Sequence, residues 1–148
     1  MRRKAQTATE YLIILAVVII IALIVVGVMG GIPGIGGGAK ERTSRAYWST
    51  ADVAFTAYSV DSSGVTLNTR NNMERSVTVN SISLGGTDLG ISATTLTAGG
   101  AHTFTSGAVT CTSGSFSYTV SVSYTVIDTN ATFTFDGDGQ TLDGTCAT

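Results

Sequence analysis

Nineteen consecutive residues, Tyr11 to Met29, carry no charged or strongly polar side chain, and any fold this chain adopts must find them an apolar surrounding. As a helix rising about 1.5 Å per residue, the stretch covers about 29 Å, the thickness of a bilayer's hydrocarbon core. Its aliphatic side chains run from Leu12 to Val28. At roughly 1.5–3 kcal/mol each, leaving them in water costs on the order of 20–40 kcal/mol. A β domain built from the remaining hundred or so residues is too small to hide them. The segment must sit in lipid or against other helices like itself.

The flanks orient it. Arg2, Arg3 and Lys4 precede the apolar run, whereas Lys40, Arg42 and Arg45 follow it with Glu41 among them. The purely basic side stays inside, so the N-terminus is expected in the cytoplasm and the C-terminal part outside. Two further features agree with export. Cys111 and Cys146 form an even pair, expected as a disulfide in an oxidising compartment. Asn130-Ala131-Thr132 is a sequon, usable only on an exported surface, and Asn130 is the expected N-glycosylation site.

The motif in front of the apolar run is more specific. Arg3-Lys4-Ala5-Gln6-Thr7-Ala8-Thr9-Glu10-Tyr11-Leu12 sets a Gln directly behind the basic residues and a Ala5 junction, then a Glu four residues later, then the hydrophobic segment. This resembles the class III signal peptide of archaeal type IV pilins, in which prepilin peptidase cuts directly before the Gln. The resemblance implies a cut between Ala5 and Gln6, with Glu10 the fifth residue of the mature chain. It departs from the family in having Ala8 at the third position after the cut, where a small hydroxyl residue is common. It further implies self-assembly into a helical homopolymer, an assembly ATPase and a membrane platform protein as partners, and a precursor held in the membrane before assembly.

Glu10 has a physical role in that setting. A carboxylate at the edge of an apolar helix is costly unless paired. The α-amino group that cleavage creates on Gln6 of a neighbouring subunit would pair with it and set axial register, and Gln6 and Glu10 are therefore the expected assembly residues. A plainer role is a first-turn acid favoured by the helix dipole.

Residues Gly27 to Gly38 are glycine-rich around the single proline, Pro33. Proline removes a helical hydrogen bond and glycine lowers helix propensity by about 1 kcal/mol, so a kink, a local melt or a linker is expected there. Ala39 to Ala51 reads as helical again, with Tyr47 and Trp48 as anchors toward a sheet. Beyond it, Ser and Thr, which make up about a quarter of the chain, alternate with Val, Ile, Leu and aromatics at period two. Strands are expected at 52–60, 64–69, 76–84, 94–96, 102–105, 116–127 and 132–135, separated by turn signals such as Asp61-Ser62-Ser63-Gly64 and Gly85-Gly86. The expected fold class is α+β, a long N-terminal hydrophobic α-helix followed by an immunoglobulin-like antiparallel β-sandwich. The expected organisation is a leader over 1–5, an assembly helix over 6–50 with a break at 27–38, and an extracellular β domain over 51–148.

Catalytic chemistry is not legible. His102 has no Cys or second His at zinc spacing. Asp136-Gly137-Asp138-Gly139-Gln140 faintly echoes a calcium loop but lacks the third oxygen ligand and the distal Glu, and reads better as an Asp-Gly hairpin turn. No nucleophile–base pair or phosphate loop stands out, and the net charge of −2 with no basic patch past the first residues argues against nucleic acid. The expectation is a non-enzymatic cell-surface filament subunit with no cofactor or metal, its β domain serving adhesion. A membrane-tethered module binding a sugar or partner, or a minor pilin-like protein, is the alternative; the tethered module would leave Gln6 and Glu10 at that spacing without a reason.

Overall fold

A computed structural model describes the backbone of residues 3–30 and 35–148 and the side chains of residues 8–24 and 38–148, and these described residues form two α-helices, nine strands and one short 3-10 turn. The chain divides into two compact units, Met1–Gly36 and Gly37–Thr148. The first holds α1 (Arg3–Gly30). Leu and Ala favour helix, and no glycine or proline interrupts residues 8–24.

The second unit takes α2 (Ile35–Thr50) from Gly37 onward and continues as β1 (Val53–Val60), β2 (Val65–Asn71), β3 (Val77–Leu84), β4 (Thr87–Asp88), β5 (Thr94–Leu96), β6 (Ala101–Ser106), β7 (Ser115–Val126), β8 (Ala131–Phe135) and β9 (Thr141–Thr145). One sheet has the order β1-β2-β6. The other has the order β4-β3-β7-β8, with β5 also on β3 and β9 also on β7. Every pairing is antiparallel.

Period-two alternation sets the inner faces. Val65, Leu67, Thr69 and Asn71 of β2 are buried, as are Val120, Val122, Tyr124 and Val126 of β7. In β1 and β3 the apolar residues break step, with Phe55 followed by Tyr58 and Val79 by Ile82. The register shifts between Phe55 and Ala57 and again between Val79 and Ser81. Each bulge inserts one residue and returns the next apolar side chain to the core face. Side chains of both sheets and Trp48 form one apolar core. All buried residues among those described lie between Ser44 and Gly144, so the second unit carries its own core and has what it needs to fold alone.

The expectation of an α+β chain, with one long hydrophobic helix ahead of an immunoglobulin-like sandwich, is corrected. The structure is mostly β, 44% strand, with antiparallel sheets and two separate short helical stretches, 8–24 and 38–50, among the residues described with side chains. Among the described residues no helix is long and apolar enough to cross a membrane. The physical reason lies partly in α2, which is polar apart from a few side chains. Its Trp48 is fully buried among the strands, so α2 is a cover on the β unit rather than an extension of the apolar helix. Of the expected break over 27–38, residues 27–30 and 35–38 are helical, and residues 31–34, with Pro33, lie outside the described residues.

Candidate assembly and modification sites

Every side chain from residue 8 to residue 24 of α1 is exposed. The large apolar ones range from 43% exposed at Leu15 to 67% at Tyr11, so no side of the helix is covered. A helix apolar around its whole circumference is stable only when something apolar surrounds it. Eleven Leu, Ile and Val side chains from Leu12 to Ile24 stand about half exposed. Completing their burial would contribute on the order of 10–20 kcal/mol. That is enough to drive association with lipid or with other helices. Glu10 is exposed just ahead of Tyr11, where the apolar surface begins. The side chains of Ala5 and Gln6, the expected processing residues, lie outside the described residues.

In the second unit the most elaborate polar construction joins α2 to β9. A strand at the margin of a sheet presents unpaired backbone groups that must be satisfied or shielded. Thr141 and Asp143 turn theirs toward α2. The Ser44 hydroxyl donates to the Thr141 carbonyl at 2.9 Å and accepts from the Asp143 N–H at 3.0 Å. Trp48 Nε1 donates to the same Thr141 carbonyl at 3.1 Å, and the Tyr58 hydroxyl donates to the Asp143 carbonyl at 2.7 Å. Three side chains, from α2 and β1, thus replace a neighbouring strand. Burial raises the Tyr58 pKa, against the lowering influence of Ser44 and of the Arg45 guanidinium, which lies 4.7 Å from the ring centre. Arg45 is held there by a 2.8 Å ion pair with Glu41 one helical turn away. These residues are structural in what they touch.

The Asp136–Gly139 segment is not the expected hairpin turn. β8 and β9 both run antiparallel to β7, and the segment is an excursion between them, with a 3-10 turn at Gly137–Gly139. Asp136 accepts from the Ser121 hydroxyl at 2.9 Å. Gly137 lies against Trp48, where an added Cβ would sit 2.6 Å from the ring, and its φ of +71° is one that side chains rarely adopt. Burial, and after it the Asp138 carboxylate, raise the Tyr47 pKa. Among the described residues no three His, Cys, Asp or Glu side chains come together as a metal site. His102 is exposed on β6 with its ring edge-on to Phe104, centroids 4.7 Å apart.

Cys111 and Cys146 are joined as a disulfide, with Cα atoms 5.4 Å apart. It ties the loop after β6 to the segment after β9. The same end of the unit is knitted by backbone bonds from Cys111 to Asp61, from Cys146 to Gly114 and from Ala147 to Val60. Asn130 is exposed at the last position of the β7–β8 hairpin loop, in a left-handed conformation with φ of 51° that Asn tolerates better than most residues. Thr132, the third residue of its sequon, shares a 2.9 Å hydroxyl contact with Thr125.

Sequence reasoning missed three contributors. Ser44 and β9 have little local signal, since one hydroxyl in a helix and one Leu in Thr141–Thr145 announce nothing. Asn71 is different. It falls on the inward phase of β2, two residues beyond Thr69, and that phase was the available sign of a buried polar hub. The expected sites do not converge: Glu10 stands in the first unit, and Asn130 and the disulfide lie in separate loops of the second. No family model matches the chain, and none of the curated proteins does.

Proposed function

We propose that this chain is a structural subunit of an archaeal type IV-like pilus, polymerising through α1 and displaying its β unit for adhesion. The observation that carries the reading is the exposed apolar circumference of α1 over residues 8–24. Copies of the same helix are a fitting cover, because each supplies the apolar contact that its neighbours lack. The Gln6–Glu10 spacing behind Arg2, Arg3 and Lys4 gives the reading its family. Prepilin peptidase frees the Gln6 amine, which pairs with Glu10 of a neighbour, and the assembly ATPase and platform protein move subunits from the cytoplasmic membrane into the fibre. Such a pair sets register more than it adds stability, since buried ion pairs seldom repay much beyond their desolvation. The β unit then stands outside the cell, where a disulfide persists. The reading assigns no catalytic activity, cofactor, metal or nucleic acid.

The test is intact mass and N-terminal sequencing of the protein in filaments sheared from cells. A chain starting at Gln6 in that fraction supports processing and polymerisation together. A chain starting at Met1, found only with membranes, sinks the reading and favours a tethered binding module.

A further inference from the structure

β8 ends the order of the larger sheet and, among the described residues, has a strand neighbour only in β7. Its sequence, Ala131-Thr132-Phe133-Thr134-Phe135, lacks the charge, proline and bulge by which natural edge strands resist pairing with another chain. It also combines β-branched and aromatic residues, the composition that favours strand stacking. Outside α1, the exposed large apolar side chains among the described residues are Ile127, 47% exposed, and Phe133, 49% exposed. Both belong to this corner. Phe133 rests on Tyr124 with ring centroids 5.8 Å apart, and its other face is open. The neighbouring stretch of the same margin is closed, β9 by Ser44, Trp48 and Tyr58, and Phe135 by an edge-on contact with Trp48 at 5.9 Å. The contact with Trp48 is made by Phe135, the last residue of β8.

Asn130 stands at the other end, immediately before β8 and three residues from each of Ile127 and Phe133. We propose that Asn130 carries an N-linked glycan that covers the open edge of β8 and keeps the β units of two copies from pairing through it. A hydrated, bulky oligosaccharide at the head of the strand excludes a second strand and shields Phe133 without any change in the fold. The left-handed turn explains an Asn at 130, and the glycan adds a reason for the exposed Thr at 132. The inference rests on the extracellular reading of the β unit and not on filament formation.

The experiment uses residues 37–148, exported from cells with an N-glycosylation pathway and compared by peptide mass spectrometry and sedimentation velocity. Wild type and Thr132→Ser retain the sequon, whereas Thr132→Val removes it with the same side-chain shape. The expected result is a glycan on the first two and none on the third, with the monomer–dimer Kd of Thr132→Val tightened at least tenfold. Adding Phe133→Lys to Thr132→Val should return the monomer. Wild type made without a glycosylation pathway is the second measure, and should associate as Thr132→Val does with an unchanged circular dichroism spectrum. A bare Asn130 in the exported wild type overturns the proposal. So does a glycosylated wild type whose unglycosylated form stays equally monomeric. Either failure leaves the pilus reading to be judged separately, by the N-terminus of the sheared filaments.

Discussion

Replacing Asn71 by Ala removes a side chain that is fully buried and bonded on both sides of its amide. Nδ2 lies 2.7, 3.2 and 3.1 Å from the carbonyls of Arg75, Leu96 and Thr97, and Oδ1 accepts from the Met73 N–H at 3.0 Å. With two N–H groups for three carbonyls, one bond is shared, leaving about three bonds' worth of interaction. At about 1 kcal/mol net for each, and more where a buried partner is left unpaired, the loss is about 3–5 kcal/mol. That is a large part of the roughly 5–15 kcal/mol that holds a domain together. At about 4 °C per kcal/mol for a unit of this size, the midpoint should fall by about 12–20 °C. Urea and thermal unfolding of residues 37–148 with the disulfide intact measure both. Asn71→Asp sharpens the argument. It keeps the acceptor for Met73 but turns a carboxylate oxygen toward three carbonyls, so it should be at least as unstable as Asn71→Ala at pH 7 despite its shape. Repulsion and burial raise the folded pKa of that carboxyl above its unfolded value. The variant's relative stability is therefore greatest below the unfolded pKa and is lost as pH rises through the folded one. A cost below 1 kcal/mol for Asn71→Ala, or an Asn71→Asp more stable than Asn71→Ala at pH 7, would refute the bonding account.

Gly137→Ala forces a Cβ toward the Trp48 ring at a φ of +71°, and overpacking with backbone strain should cost about 2–4 kcal/mol in denaturant unfolding of the same unit. Cys111→Ser with Cys146→Ser opens a loop of 35 residues and should lower stability by about 3–4 kcal/mol on the loop-entropy model, read from the urea midpoint under oxidising conditions. Backbone N–H groups of Ser63 and Gly64 hold the Asp61 carboxyl below the ordinary carboxylate range. Its contribution is thus present above the unfolded pKa and lost as pH falls through the folded one, and Asp61→Ala should flatten that part of the acid-unfolding profile relative to wild type.

Much of the strand layout was legible because alternation is a local signal. Val65 and Leu67, or Val120, Val122 and Tyr124, state by themselves which way each side chain turns. Even the bulges left a trace, in the odd spacing from Phe55 to Tyr58 and from Val79 to Ile82. β4 and β9 left none, being short and mostly polar. Asp136–Gly139 carried an Asp-Gly turn signal, yet local chemistry does not say whether the next strand returns beside the last one or continues along the same neighbour.

The sequence by itself determined that residues 11–29 need an apolar surrounding, because the cost of hydrating that many aliphatic side chains depends on their number and not on their arrangement. It determined the alternating inner faces of the strands for a similar reason: the period belongs to the backbone. Only the tertiary structure decided that α2 closes the edge of β9, that Asn71 bonds four backbone groups in the segments 73–75 and 96–97, and that Phe133 is left half exposed beside Asn130. Those outcomes hang on contacts between residues as far apart as Ser44 and Asp143, 99 positions along the chain. A local pattern names the face a side chain turns to, but the partner it meets there is set by how distant strands come into register.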